Sequence, residues 1–173
     1  MKFTEFASQR FSVRKFKNEH LPKEIIDKII LGGHIAPTGC NYQPQRILVV
    51  NSDEGMDKIK KCTNSHFDAP CAMIIGYNKN ESWVRRYDGA KSAPVDSIIV
   101  ATHMMLASHA EGVGSCMVMS YDPEAIRKEF CIPDEIETTL LLMLGYPHED
   151  ATPHEFHSKF RPQSEVVFYE KFI

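Results

Sequence analysis

Arg10, Ser12 and Arg14 stand at alternate positions of Arg10-Phe11-Ser12-Val13-Arg14-Lys15-Phe16, just after a short helical-looking stretch. In extended backbone, alternate side chains point the same way. The segment therefore presents two planar guanidinium groups and a hydroxyl on one face, a donor set suited to a phosphate or another anionic group. Two further polar segments are natural companions: Pro37-Thr38-Gly39-Cys40-Asn41-Tyr42-Gln43-Pro44, and Lys159-Phe160-Arg161 near the C-terminus. Each has a plainer reading alone. An Arg/Lys cluster is ordinarily a solvated face. Pro-Thr-Gly-Cys-Asn is a turn by default, because Gly and Asn tolerate positive φ and Pro fixes its own. Convergence of all three on one anion is the sharper expectation.

Other candidate motifs point away from familiar sites. Gly112-x-Gly114 follows a helix and opens a strand, whereas a dinucleotide loop follows a strand and opens a helix. The glycines read as a helix stop. His148, His154 and His157 share a loop with Glu149, Asp150 and Glu155 but match no structural zinc spacing, and no metal is expected. His103 and His109 read as buried, hydrogen-bonded histidines. No Gly-x-Ser-x-Gly elbow occurs. Cysteines 40, 62, 71, 116 and 131 contain no Cys-x-x-Cys pair, and Cys71 and Cys116 lie in apolar runs as small hydrophobes. With no protein nucleophile and no paired acid and base in view, an enzyme built on this chain would carry its chemistry on a cofactor.

The elements that must position these residues follow from periodicity and caps. Ile25, Ile26, Ile29 and Ile30 give a helical stripe over Lys23 to His34, with Pro22 at its start and Gly32-Gly33 loosening its end. Strands are expected at Arg46–Val50, Ala69–Tyr77, Ser115–Ser120 and Thr138–Leu144. Short helices are expected at Glu54–Lys61 and at Pro123–Phe130, the latter capped by Asp122. The longest helix, Ala93 to Glu111, carries Val95, Ile98, Ile99, Thr102, Leu106 and His109 on one face. Its opposite face is also apolar or small: Ala93, Val100, Met104, Ala107 and Ala110. A helix apolar nearly all round is covered on both sides, as a central helix or at a subunit interface. From His148 the chain turns polar, and an apolar pattern resumes over Glu165 to Ile173. Such a tail is expected to wrap something.

At 173 residues, with 43% hydrophobic and 25% charged, the chain is within the range of one soluble domain. A net charge of −3 gives no general attraction to nucleic acid. No apolar run approaches the roughly 20 residues of a membrane span. The first residues lack a hydrophobic signal core, so the expected address is the cytoplasm.

Taken together and in order, these segments resemble the nitroreductase family of FMN-dependent oxidoreductases. Arg10 to Phe16 looks like its N-terminal signature. Pro37 to Pro44 matches its polar turn, retaining Asn41, Gln43 and Pro44. Glu111 to Cys116 resembles its helix-to-strand junction, Leu141 to Pro147 its last core strand, and Lys159-x-Arg161 its late phosphate-binding pair. Two positions depart from the pattern: Gly39 replaces a serine of the turn, and Gln45 stands where many relatives have Trp.

The resemblance implies an α+β fold, a three-layer α-β-α sandwich with a central, mostly antiparallel sheet in an intertwined homodimer. Residues 1–173 would form one FMN-binding domain, with 148–173 as an arm packing on the partner. It implies that Arg10, Ser12, Lys159 and Arg161 hold the FMN phosphate, with Phe11 beside them, and that Arg14 tunes the flavin electrostatically at its N1/C2 edge. Pro37, Thr38, Gly39 and Asn41 would reach the flavin from the other chain, and Met119 and Ser120 would lie toward its dimethylbenzene and N5 side. Trp83 and Tyr87, in a segment shorter than the helical lid of larger relatives, would border the substrate pocket. The implied activity is ping-pong reduction of a nitroaromatic, quinone or similar small electron-poor acceptor, with NADH or NADPH as donor. The alternatives are another substrate on the same fold (reductive dehalogenation or flavin breakdown), or a flavin-binding storage or sensor protein.

Overall fold

A computed structural model describes residues 2–172. Met1 and Ile173, the two ends of the expected domain, lie outside the described residues. Cys71-Ala-Met-Ile-Ile75 and Leu140-Leu-Leu-Met-Leu144 are apolar at successive rather than alternate positions, a pattern that fits strands between two covered faces, and each is the core of a longer strand. These strands are β2 (Cys71–Asn78) and β4 (Ile136–Gly145), the middle of a four-stranded sheet. β1 (Gln45–Val50) and β3 (Gly114–Val118) form its edges in the order β1-β2-β4-β3, with every pairing antiparallel. The four expected strands are present. β3 stops two residues early, so Met119 and Ser120 lie exposed beyond it.

Helices cover both faces. Ala72, Ile74, Leu141, Met143, Cys116 and Val118 meet α3 (Asp53–Cys62) and α5 (Pro123–Glu129) through Met56, Ile59 and Ile126. Ser52 caps α3 by accepting the Gly55 N–H at 3.2 Å, and Asp122 caps α5 by accepting the Glu124 and Ala125 N–H groups at 2.9 and 3.1 Å. Met73, Ile75, Leu140, Leu142 and Leu144 meet α2 (Lys23–His34) and α4 (Ala93–Ala110) through Ile26, Ile29, Val100 and Met104. The architecture is α+β in three layers.

The glycine pair of α2 corrects a sequence expectation. Gly32 and Gly33 do not loosen the helix; they lie within it and let it seat on α4. A Cβ at Gly32 would stand 2.5 Å from the Ala107 Cβ. Ala107 is short and held by its own helix, so the strain falls on the backbone. Gly32→Ala is expected to destabilise the fold by about 1–3 kcal/mol, read as a lower urea midpoint with an unchanged m-value.

Three surfaces remain apolar and uncovered in the single chain. On α4, the inner face packs as expected, while Val95 is exposed and Ile98, Ile99, Met105 and Leu106 are half-buried. Beside them Leu31 and Ile35 project from the end of α2. Nearly all of 152–172 is exposed, including Phe160, Val166, Phe168 and Phe172. This tail carries two single 3-10 turns, at Glu155–Ser158 and Gln163–Glu165.

Candidate active site at the sheet edge

Helix α1 (Phe3–Gln9) delivers the chain into the basic segment, which lies along β3. The Val13 N–H donates to the Ser115 carbonyl at 3.0 Å, the Lys17 N–H to the Tyr146 carbonyl at 2.9 Å, and the His148 N–H to the Lys15 carbonyl at 3.0 Å. This pairing extends the backbone. Val13 and Phe16 are buried in the core, and Gly114 makes room, since a Cβ there would stand 2.7 Å from Val13 Cγ2.

Arg10, Phe11, Ser12 and Arg14 line one open cavity of about 300 Å³, together with His154, Phe156 and His157 of the tail. Lys15 is turned away and paired with Asp150 at 2.7 Å. Of seven arginines, Arg46, Arg85, Arg127 and Arg161 have carboxylate partners; among the described residues Arg10, Arg14 and Arg86 have none. Two unneutralised guanidinium groups on one cavity are an electrostatic demand for an anion. Cys116 is buried beneath Ser12 and Arg14. Burial pushes its thiol up, opposed by the Arg14 charge, hydrogen bonds from Ser12 and Arg14, and the Arg10 charge. It packs in the core with Val118, Leu141 and Met143, as the small hydrophobe its sequence context suggests. Behind the segment, the Ser115 Oγ is buried without a hydrogen-bond partner beside Arg10 and His109.

The polar turn lies elsewhere. A 3-10 turn at Gly39–Asn41 holds Cys40 and Asn41 at φ 46° and 58°, and Gln43 follows at φ 50°. Left-handed geometry at three non-glycine residues is kept in place from outside. The fixing group is Asp96, 3% exposed, which accepts the Gly39 N–H at 2.9 Å and the Ser92 hydroxyl at 2.8 Å. The Thr38 hydroxyl accepts the Gln43 N–H at 3.1 Å. Gly39 itself leaves no room for a side chain, because a Cβ would stand 2.7 Å from the Ser92 Oγ and 3.4 Å from the Trp83 Cβ. The missing serine of the turn is thus a packing requirement here.

The turn and the basic cavity stand at opposite ends of α4. Ser92 and Asp96 are at its N-terminal end, whereas His109, at the other end, stacks on Phe6 with ring centroids 4.9 Å apart and lines the hollow beside Arg10. Eighteen helical residues span about 27 Å. One chain therefore does not bring Pro37, Thr38, Gly39 and Asn41 to Arg10, Ser12 and Arg14. Lys159 and Arg161 are also not brought to the cavity. Lys159 pairs with Glu155 at 2.6 Å and Arg161 with Glu165 at 3.5 Å, all on the surface. Met119 and Ser120 lie further along the β3 edge, Trp83 is half-buried against the turn, and Tyr87 is 94% exposed. His103 and His109 are half-buried, and neither imidazole hydrogen-bonds within the described residues, contrary to expectation. Beyond the residues the sequence pointed to, His154, Phe156 and His157 form part of the cavity wall, and Asp96 lies behind the turn. Asp96 was detectable as the lone acid in an otherwise apolar helix.

This combination defines an α+β protein with an arginine-lined cavity at the edge of an antiparallel sheet. The Nitroreductase family profile matches residues 7–68 and 64–146, and the chain belongs to that family. A nitroreductase family protein of Clostridium difficile, known from its crystal structure, is 38% identical and superposes with a TM-score of 0.93, over 99% of this chain and 100% of its own. A Methanothermobacter thermautotrophicus protein, provisionally named NADH dehydrogenase/NAD(P)H nitroreductase, is 28% identical over 162 residues, 87% of this chain and 80% of its own. An iodotyrosine deiodinase of Thermotoga neapolitana is 26% identical over 182 residues, 94% of each chain. Among the described residues, no helix is long and apolar enough to cross a membrane.

Proposed function

We propose that this chain is an FMN-dependent NAD(P)H oxidoreductase whose active site is completed by a second copy of itself. The observation that carries the reading is the separation of the two half-sites. Arg10 lies beside His109 at one end of α4, and the polar turn is held by Ser92 and Asp96 at the other, with a helix of about 27 Å between these ends. Two chains packed antiparallel along their apolar α4 faces would bring each turn to the partner's basic cavity. The same packing covers Val95, Leu31 and Ile35, and it gives the exposed tail a surface to embrace as the partner-packing arm. An isologous contact of this kind is the usual route to a homodimer.

The residues present fit FMN. Arg10 and Ser12 offer the phosphate a guanidinium fork and a hydroxyl with no competing carboxylate. Lys159 and Arg161 complete the grip when the arm is in place. Their present partners are exposed i,i+4 carboxylates, worth only about 0.3–0.5 kcal/mol each, which a phosphate displaces. Arg14 supplies a fixed positive charge at the flavin pyrimidine edge, and Phe11 walls the cavity. Thr38, Asn41 and the backbone of Pro37 and Gly39 reach the cofactor from the partner, while Met119 and Ser120 border its far side. Trp83 and Tyr87 border the substrate. Bound FMN would supply the redox chemistry, two-electron transfer from NAD(P)H to an electron-poor acceptor. The chain's own contribution is binding, orientation over the ring and electrostatic stabilisation of charge.

The full-length match to an iodotyrosine deiodinase favours one second reading, reductive removal of halide from a halogenated phenol. Anaerobic NADH or NADPH added to the purified protein after incubation with FMN, followed by a nitroaromatic or a halophenol, tests both. Bleaching by donor with repeated turnover of the nitroaromatic is expected. Turnover of the halophenol alone would move the assignment to dehalogenation. A flavin that resists both donors would leave a storage or sensor protein.

A further inference from the structure

Arg85 and Arg86 are adjacent in sequence, and their environments differ. Arg85 Nε donates to Asp88 Oδ1 at 2.7 Å, and its N–H donates to the Ala90 carbonyl at 2.8 Å. The Gly89 N–H returns to the Arg85 carbonyl at 2.9 Å with Gly89 at φ 74°, and Val84 pairs with Lys91. These bonds close a firm hairpin over 84–91. Its tip carries Arg86, without a carboxylate partner, and Tyr87, 94% exposed. The hairpin is rooted at the turn: the Ser92 N–H donates to the Trp83 carbonyl at 3.0 Å, the Ala93 N–H to the Ser82 hydroxyl at 3.0 Å, and Trp83 abuts Gly39. Turn and hairpin are thus joined through Ser82, Trp83 and Ser92, and an arrangement that brings the turn to a partner's cavity brings the hairpin with it.

We propose that Arg86 and Tyr87 form the specificity clamp of the active site, selecting planar aromatic ligands that carry an anionic group. The inference rests on the two-chain FMN site proposed above. Tyr87 offers a ring for stacking, and Arg86 offers a fork for the anion. Neither side chain has a hydrogen-bond or ion-pair partner among the described residues. In a ping-pong cycle donor and acceptor use one place in turn, so the anion has two sources: the 2′-phosphate that distinguishes NADPH from NADH, or a carboxylate on an aromatic acceptor.

The test compares kcat/KM for NADPH against NADH, and for 4-nitrobenzoate against neutral 4-nitrobenzyl alcohol, in the wild-type holoenzyme and in Arg86→Ala, Arg86→Lys and Tyr87→Ala. Arg86→Ala is expected to lower one of these two ratios about tenfold, with Arg86→Lys recovering part of the loss. A fall in the NADPH/NADH ratio places the 2′-phosphate at Arg86, and a fall in the nitrobenzoate ratio places the acceptor's carboxylate there. Tyr87→Ala is expected to lower kcat/KM for both members of the affected pair. Both ratios remaining at wild-type values in Arg86→Ala, with turnover intact, would overturn the clamp alone. A wild-type protein that holds no FMN or turns over no pair would overturn the oxidoreductase reading and this inference with it.

Discussion

Replacing Arg10 and Arg14 together by alanine is expected to weaken FMN binding at least about a hundredfold. A hydrogen bond to a charged group contributes about 1.5–3 kcal/mol, and each 1.4 kcal/mol is a factor of ten in affinity. Neither side chain has a carboxylate partner among the described residues, so their loss strands no buried charge. The fold should hold, with far-UV circular dichroism matching the wild type while flavin fluorescence titration shows the weakened site. Arg14→Lys should fall between, because it keeps the charge and loses the planar fork. Arg14→Ala also removes the charge that opposes burial at Cys116, so that thiol should rise further. Wild-type affinity in the double variant would mean that the cavity serves some other anion.

Complementation between two inactive variants is the second large effect. Asp96→Ala removes the acceptor that holds Gly39 and Ser92, and the strained turn should loosen. Asp96→Asn, which keeps one acceptor, separates this effect from misfolding. Homodimers of Arg10→Ala/Arg14→Ala and of Asp96→Ala should each lose at least about tenfold in turnover. In a heterodimer one site combines both defects, while the other joins an intact basic segment to an intact turn. Mixed dimers, isolated with two different affinity tags, should therefore regain about half the wild-type activity. If each chain housed its own complete site, mixing would restore nothing.

Local signals carried much of this fold. The isoleucine stripe and Pro22 gave α2 its bounds, Asp122 marked the start of α5, and period-two spacing put Arg10, Ser12 and Arg14 on one cavity. Strand order was not legible, because periodicity says which face is buried and nothing about which strand lies alongside. The bulge at Ile75/Gly76 is of the same kind. Gly76 is needed there because the Glu137 carbonyl would lie 2.2 Å from a Cβ, and Glu137 is distant in sequence. Gly32 and Gly33 looked like the loosened end of a helix for the same reason, since Ala107 and Met104 come from another helix. Asp88 sits near both Arg85 and Arg86, and only the hairpin decides which one it neutralises. The placement of the turn and the basic segment at opposite ends of α4 depends on tertiary packing, which no local spacing in the sequence encodes.

Sedimentation velocity of the purified protein, followed at both the protein and the flavin absorbance bands, tests the central claim most directly. The account predicts a single boundary at the mass of a dimer, carrying about one FMN per chain. Flavin travelling with a monomer would contradict the shared site, and a colourless boundary that stays colourless after FMN is added would contradict the flavoenzyme itself.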